Sequence, residues 1–106
     1  MISLWKEIKL RSLICRARLG NSEAQFHLGF LYHDGIGDTQ KAIYWYERAA
    51  LQNHASAQYN LAELYLLEDN DMAIYWLKKA AQNEVSEASK ALLIFDSAIN
   101  DESFNF

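Results

Sequence analysis

The chain has 106 residues, 51% of them hydrophobic and 23% charged, with four Gly and no Pro; this is about one domain, with too much apolar surface and too few turn residues for disorder. Its net charge of −4 is unevenly spread: up to Arg18 five basic residues (Lys6, Lys9, Arg11, Arg16 and Arg18) stand against Glu7 alone, a local +4 that leaves −8 for the remainder. An acidic body argues against general binding to nucleic-acid phosphates, and the charges scattered through the first twenty residues leave no signal peptide or membrane span, so a cytoplasmic home is expected.

In chain order, the first predicted helix covers 2–19, where Leu10, Leu13, Ile14 and Ala17 form a stripe at i, i+3, i+4 and i+7. Its basic residues read as a solvated face, or as a surface for an acidic protein. Cys15 has no second Cys for a disulfide and no neighbouring ligand for a metal, and is expected to be buried or half-buried.

The second helix is predicted over 22–34, with Ala24, Leu28, Leu31 and Tyr32 at i, i+4, i+7 and i+8. Ser22 with Gln25 reads as a capping box at its start, and Gly35 and Gly37 close it. Gly35-Ile36-Gly37 is not a phosphate loop, because it follows a helix and no Gly-Lys-Ser/Thr comes after it. The third helix, over 39–53 and capped by Thr39 or Asp38, carries Ala42, Trp45, Tyr46, Ala49 and Ala50 on one face. A fourth is predicted over 55–67, a fifth over 70–83 capped by Asp71, and a sixth over 85–100.

Two of these helices are written twice. Ala24, Gln25, Leu28, Leu31 and Tyr32 recur 33 positions later as Ala57, Gln58, Leu61, Leu64 and Tyr65, whereas Ala42 and Trp45 recur after 31, as Ala73 and Trp76. The two missing residues fall between the elements, where deletions are tolerated, so each unit is helix, loop, helix. One helical pair cannot bury its own stripe, and a second copy stacked on it can. Tyr32, Trp45, Tyr65 and Trp76 are the expected core aromatics.

The pattern A-x-x-x-L-G-x-x-Y, then G-x-G, then K-A-x-x-W-Y-x-x-A-A runs here through Ala24, Leu28, Gly29, Tyr32, Gly35, Gly37, Lys41, Ala42, Trp45, Tyr46, Ala49 and Ala50. It resembles a Sel1-like repeat, a branch of the tetratricopeptide-like solenoids. The resemblance implies an all-α, right-handed α-solenoid of about six helices, organised as one domain over 1–106: a capping helix at 1–21, repeats at 22–54 and 55–85, and a half repeat with tail at 86–106. The second repeat has Ala62 where the family has Gly, which predicts slightly wider packing there.

The resemblance further implies an adaptor that binds a protein or peptide on its concave face; from the spacing of the His residues, the single Cys and the isolated Gly pair, no cofactor is expected. In its register the groove-facing residues are Phe26, Phe30, His33, Tyr59, Glu63, Leu66, Lys90 and Ile94, with Glu23, Ser56 and Glu87 beside them. The alternatives are an inhibitor or immunity protein that blocks a toxic enzyme, and a small hydrolase-like enzyme. Against the last, no nucleophile, base and orienting group can be assembled from local spacing, and His27 and His33 fall on different sides of a helix, so no catalytic or metal site is expected. His27, His33 and His54 are expected at the surface. Leu92, Leu93, Ile94, Phe95 and Ile99, with Phe104 and Phe106 beyond, exceed what one helical face can bury and predict self-association through that end.

Overall fold

A computed structural model describes residues 4–100 of the chain, with side chains described to Phe95. Its elements are α1 (Leu4–Arg18), α2 (Ser22–Phe30), a π-helical turn (Leu31–Ile36), α3 (Thr39–Leu51), α4 (Ala55–Tyr65), α5 (Asn70–Gln82) and α6 (Ser86–Asn100). The main packing runs between neighbours in sequence, which draws the molecule out to 60 × 27 × 18 Å. Six helices stacked one on the next are the all-helical repeat architecture that the sequence implies. The side chain of Ile99, and Phe104 and Phe106, lie outside the described residues.

Small residues let the helices approach. Ala17, Ala42, Ala49, Ala57, Ala73, Ala80 and Ala88 are all fully buried, and each has another buried alanine at the equivalent position of the repeat. Larger side chains fill what is left: Tyr46, Leu61, Leu77 and Trp76 in the main core, with Leu28 in a smaller cluster under α1. The expected core aromatics divide. Trp76 is buried, while Tyr32, Trp45 and Tyr65 are half-buried and pack against the core's edge. The largest fully buried side chain is Tyr46, 1% exposed. Trp45 is instead covered by the small α1 cluster, by the edge of Tyr44 at 5.0 Å and by the Arg48 guanidinium at 5.7 Å.

Tyr46 fits because of Gly29. A Cβ at that position would lie 2.7 Å from Cδ1 of the Tyr46 ring. In the second repeat both partners change, to Ala62 and Leu77, each buried. The added methyl group on one helix is matched by a narrower side chain on the other, so helix spacing need not widen.

The turns between repeats share one device. Gly20, Asn53 and Glu84 are left-handed, with φ of 104°, 68° and 66°, and each ends its helix in a Schellman motif. The amides of Gly20 and Asn21 donate to the carbonyls of Ala17 and Arg16, those of Asn53 and His54 to Ala50 and Ala49, and those of Glu84 and Val85 to Ala81 and Ala80. Above two of these turns lie the buried polar residues Gln25 and Gln58. Gln25 Nε2 donates to the Ala17 carbonyl at 3.0 Å, and Gln58 Nε2 to that of Ala50 at 3.1 Å, so each amide satisfies the carbonyl end of the helix before it.

Two expected caps are corrected. Ser22 is already inside α2; Asn21, extended at φ −70° and ψ 114°, accepts the Ala24 N–H. Gln25, the other half of the expected capping box, is committed to Ala17. Asp71 likewise lies inside α5, and Asp69 accepts the Met72 N–H. A cap must have extended backbone just before the first helical residue, and the preceding turn decides which residue that is. At α3 the cap is Asp38, which accepts the Lys41 N–H. Cys15 is exposed, contrary to expectation. Leu13, Ile14 and Ala17 turn toward α2, and Cys15, two residues from both Leu13 and Ala17, falls on the far side.

The two residues that repeat 1 has in excess form no open loop. They extend α2 as the π-helical turn, which Gly37 closes with φ 81° and its N–H donated to the Tyr32 carbonyl. In repeat 2 the chain stops at Tyr65 and turns directly into α5.

Candidate functional site

α2 buries Ala24, Gln25, Leu28 and Gly29, and so presents Phe26, His27 and Phe30 on its other side. Phe30 comes last, where the π-helical turn begins, and is 46% exposed. Its ring stands between two grooves. One, of about 590 Å³, lies between α2 with its π-helical turn and α4, floored by Tyr46 and walled by His33, Asp34, Glu63 and Glu68. The other, of about 820 Å³, lies between α1 and α2 and is lined by Trp5, Ile8, Lys9, Arg16 and His27. Phe30 belongs to both.

Charge divides along this face. The α2–α4 groove carries three carboxylates; at its floor, burial raises the Tyr46 hydroxyl above its ordinary range, the Asn60 hydrogen bond works the other way, and the charges of Asp34 and Glu63 add to the rise. The α1–α2 groove is basic. Lys9 and Arg16 stand 33 positions before Ala42 and Ala49, which are 0% exposed in α3. Thus α1 bears cations where a repeat helix has its buried alanines.

Glu23, His54 and Phe26 form a joint beside these grooves. The His54 Nδ1 accepts the Ala57 N–H at 3.1 Å and caps α4, which leaves Nε2–H to donate to Glu23 Oε2 at 2.8 Å. Phe26 stacks on the imidazole, ring centroids 4.7 Å apart. The hydrogen bond from His54 is the main cause that holds the Glu23 carboxyl below its ordinary value, against slight burial, and the neighbouring His27 acts in the same direction.

Of the residues expected in the groove, Phe30, His33 and Glu63 line one groove together. Phe26 and Tyr59 are half-buried and pack against the core, and burial raises the Tyr59 hydroxyl. Leu66, Lys90 and Ile94 are exposed outside that groove's lining. His27 and His33 are exposed, whereas His54 is half-buried in its capping role. Sequence reasoning missed Asp34 and Glu68, and it read Lys9 and Arg16 only as part of a solvated face or a surface for an acidic protein, without placing them beside Phe30. For the last two a signal existed, since charges replace the repeat's alanines.

Little here suits covalent chemistry. Cys15 lies in a shallow patch with Arg11, Ile14 and Arg18, and no histidine lines it. Among the described residues no three His, Cys, Asp or Glu side chains group in a way that could hold a metal ion, and no helix is long and apolar enough to cross a membrane.

A stack of paired helices with an exposed aromatic ridge is the form of a helical-repeat protein, and comparison with known sequences makes the class specific. The Sel1 repeat model matches residues 22–54 and 55–85, and the chain belongs to the Sel1 repeat family. Such repeats are typically protein-interaction modules and are generally non-catalytic. The chain is 38% identical over 79 residues to an uncharacterized protein of Neisseria meningitidis serogroup B, covering 72% of this chain and 17% of that protein. It is 47% identical over 45 residues to chitin synthase regulatory factor 4 of Schizosaccharomyces pombe (42% of this chain, 7% of that protein) and 30% identical over 84 residues to chitin synthase regulatory factor 3 of the same yeast (69% and 9%). The chain therefore spans less than a fifth of the length of each of these relatives. No solved structure matches it significantly.

Proposed function

We propose that the chain is an adaptor that takes a segment of a partner protein on the face built by α1, α2 and α4, with Phe30 as the anchor. The observation that carries this reading is the exposure of Phe30 on a ridge between two grooves. An aromatic ring held by a helix end loses little entropy on binding and offers a large area to bury. Glu63 and His33 beside it supply polar contacts, and Leu66, Lys90 and Ile94 extend the surface toward α6. Two of the relatives carry names that describe regulation of an enzyme, which suits a non-catalytic partner. An exposed, unpaired Cys15 fits a reducing compartment such as the cytoplasm. The reading includes self-association through α6, where Leu93 and Ile94 are exposed.

The test is affinity capture from the native cell with the immobilised chain and with its Phe30→Ala variant. The variant should remain folded, losing no more than about 1–1.5 kcal/mol of stability for the half of the ring that is buried, and should lose the captured partner. Equal capture by both proteins would refute the assignment of this face.

A further inference from the structure

We infer that the segment bound on this face carries both signs of charge: an acidic side chain over the α1–α2 groove, a large apolar one against Phe30, and a basic one in the α2–α4 groove. This rests on the interaction reading above and specifies the partner's chemistry.

Charge complementarity is the first ground. The two grooves that share Phe30 are walled by opposite charges, Lys9 and Arg16 on one side and Asp34, Glu63 and Glu68 on the other. These groups are not satisfied internally. Among the described residues Arg16, Glu63 and Glu68 have no ion-pair partner, Asp34 meets only His33 at 3.4 Å, and Lys9 rests over the Trp5 ring at 5.0 Å. A ligand of a single charge would be drawn to one groove and repelled by the other, whereas a bipolar one is favoured by both.

The second ground is the shape of the occupant. A helix laid along the α1–α2 groove would cover Lys9 and Arg16, which line it. Burying two unpaired cations costs several kcal/mol each, so the α1–α2 groove suits a polar, extended segment. The spacing then follows. The grooves flank α2, and a helix with its side chains is about 10–12 Å across. Along an extended chain, residues i, i+2 and i+4 point the same way over roughly 13 Å. The recognised pattern is therefore acid, any residue, apolar, any residue, base.

Fluorescence anisotropy with the full chain at low salt and short synthetic peptides of this frame tests the inference. The probes are a peptide with Asp, Leu and Lys at alternate positions and Ser between them, its all-acidic and all-basic counterparts, and a version with Ser for Leu. The bipolar peptide should bind about tenfold more tightly than either single-sign peptide, the yield of two partly exposed ion pairs. Lys9→Glu with Arg16→Glu should transfer the preference to the basic peptide. Both residues are exposed on α1, so melting should not change. Phe30→Ala should weaken every Leu-containing peptide, and the Ser version should bind the parent weakly and hardly respond to Phe30→Ala. Peptides that bind regardless of charge yet still require Phe30 would sink the charge pattern and leave the interaction reading standing. Binding that ignores Phe30→Ala would sink both. No binding by the bipolar peptide at millimolar concentration would overturn the inference, while the capture experiment still judges the broader reading. Dimers that dissociate on charge reversal would make a second copy the occupant and also overturn it.

Discussion

Exchanging the Gly29–Tyr46 pair for the Ala62–Leu77 pair of the next repeat asks whether the two repeats use matched volumes. A Cβ on Gly29 would meet Cδ1, Cε1 and Cγ of Tyr46 at 2.7, 2.9 and 3.0 Å, and that ring is fully buried between α2, α3 and α4. Overpacking of this kind costs about 1–3 kcal/mol, and three contacts with one ring place Gly29→Ala in the upper part of that range. Ala gains about 1 kcal/mol over Gly inside a helix, so the net loss should be about 1–2 kcal/mol. For a domain of this size that lowers Tm by roughly 5–15 °C. Tyr46→Leu alone leaves a void beside Gly29 and also destabilises. The double variant Gly29→Ala with Tyr46→Leu rebuilds the second repeat's pair, and urea unfolding followed by circular dichroism should find it more stable than the two single losses predict, by at least about 1 kcal/mol of coupling. Additivity within about 0.5 kcal/mol, or a rise in Tm for Gly29→Ala alone, would refute the matched-volume argument.

The left-handed turns and the Glu23 joint give two further tests. Glu84 holds φ 66° without glycine's freedom, so Glu84→Gly should raise stability by roughly 0.5–1 kcal/mol, whereas Gly20→Ala, at φ 104°, should lower it by about 1–2 kcal/mol in the same unfolding assay. The Glu23 carboxyl has its folded value pushed below the ordinary 4.5. Its contribution is therefore complete above 4.5 and is lost as pH falls through the lower folded value. Glu23→Gln should be slightly less stable than the parent at neutral pH, with the gap closing in acid. The effect is small because that side chain is 63% exposed, and a gap that widens below pH 4.5 would contradict the assigned direction.

The sequence by itself determined the helices, their order and the stacking of two repeats, because apolar periodicity is a local property and its return after 33 and 31 residues makes one copy the natural cover for the other. It could not separate neighbours within a stripe. Trp45 and Tyr46 both point roughly inward, and the absence of a Cβ on Gly29, a residue of another helix, decided that Tyr46 takes the centre. The cap of α2 shifted for a similar reason: Gly20 ends α1 in a left-handed turn, and that geometry places Asn21 before the first helical residue, whatever the propensity of Ser22. Phe30 could be named from the register. Its setting between Lys9 and Arg16 on one side and Asp34, Glu63 and Glu68 on the other was decided only by packing. Three helices and a π-helical turn must come together before charges so distant in sequence share one face, and periodicity along a single helix carries no record of what stands across a groove.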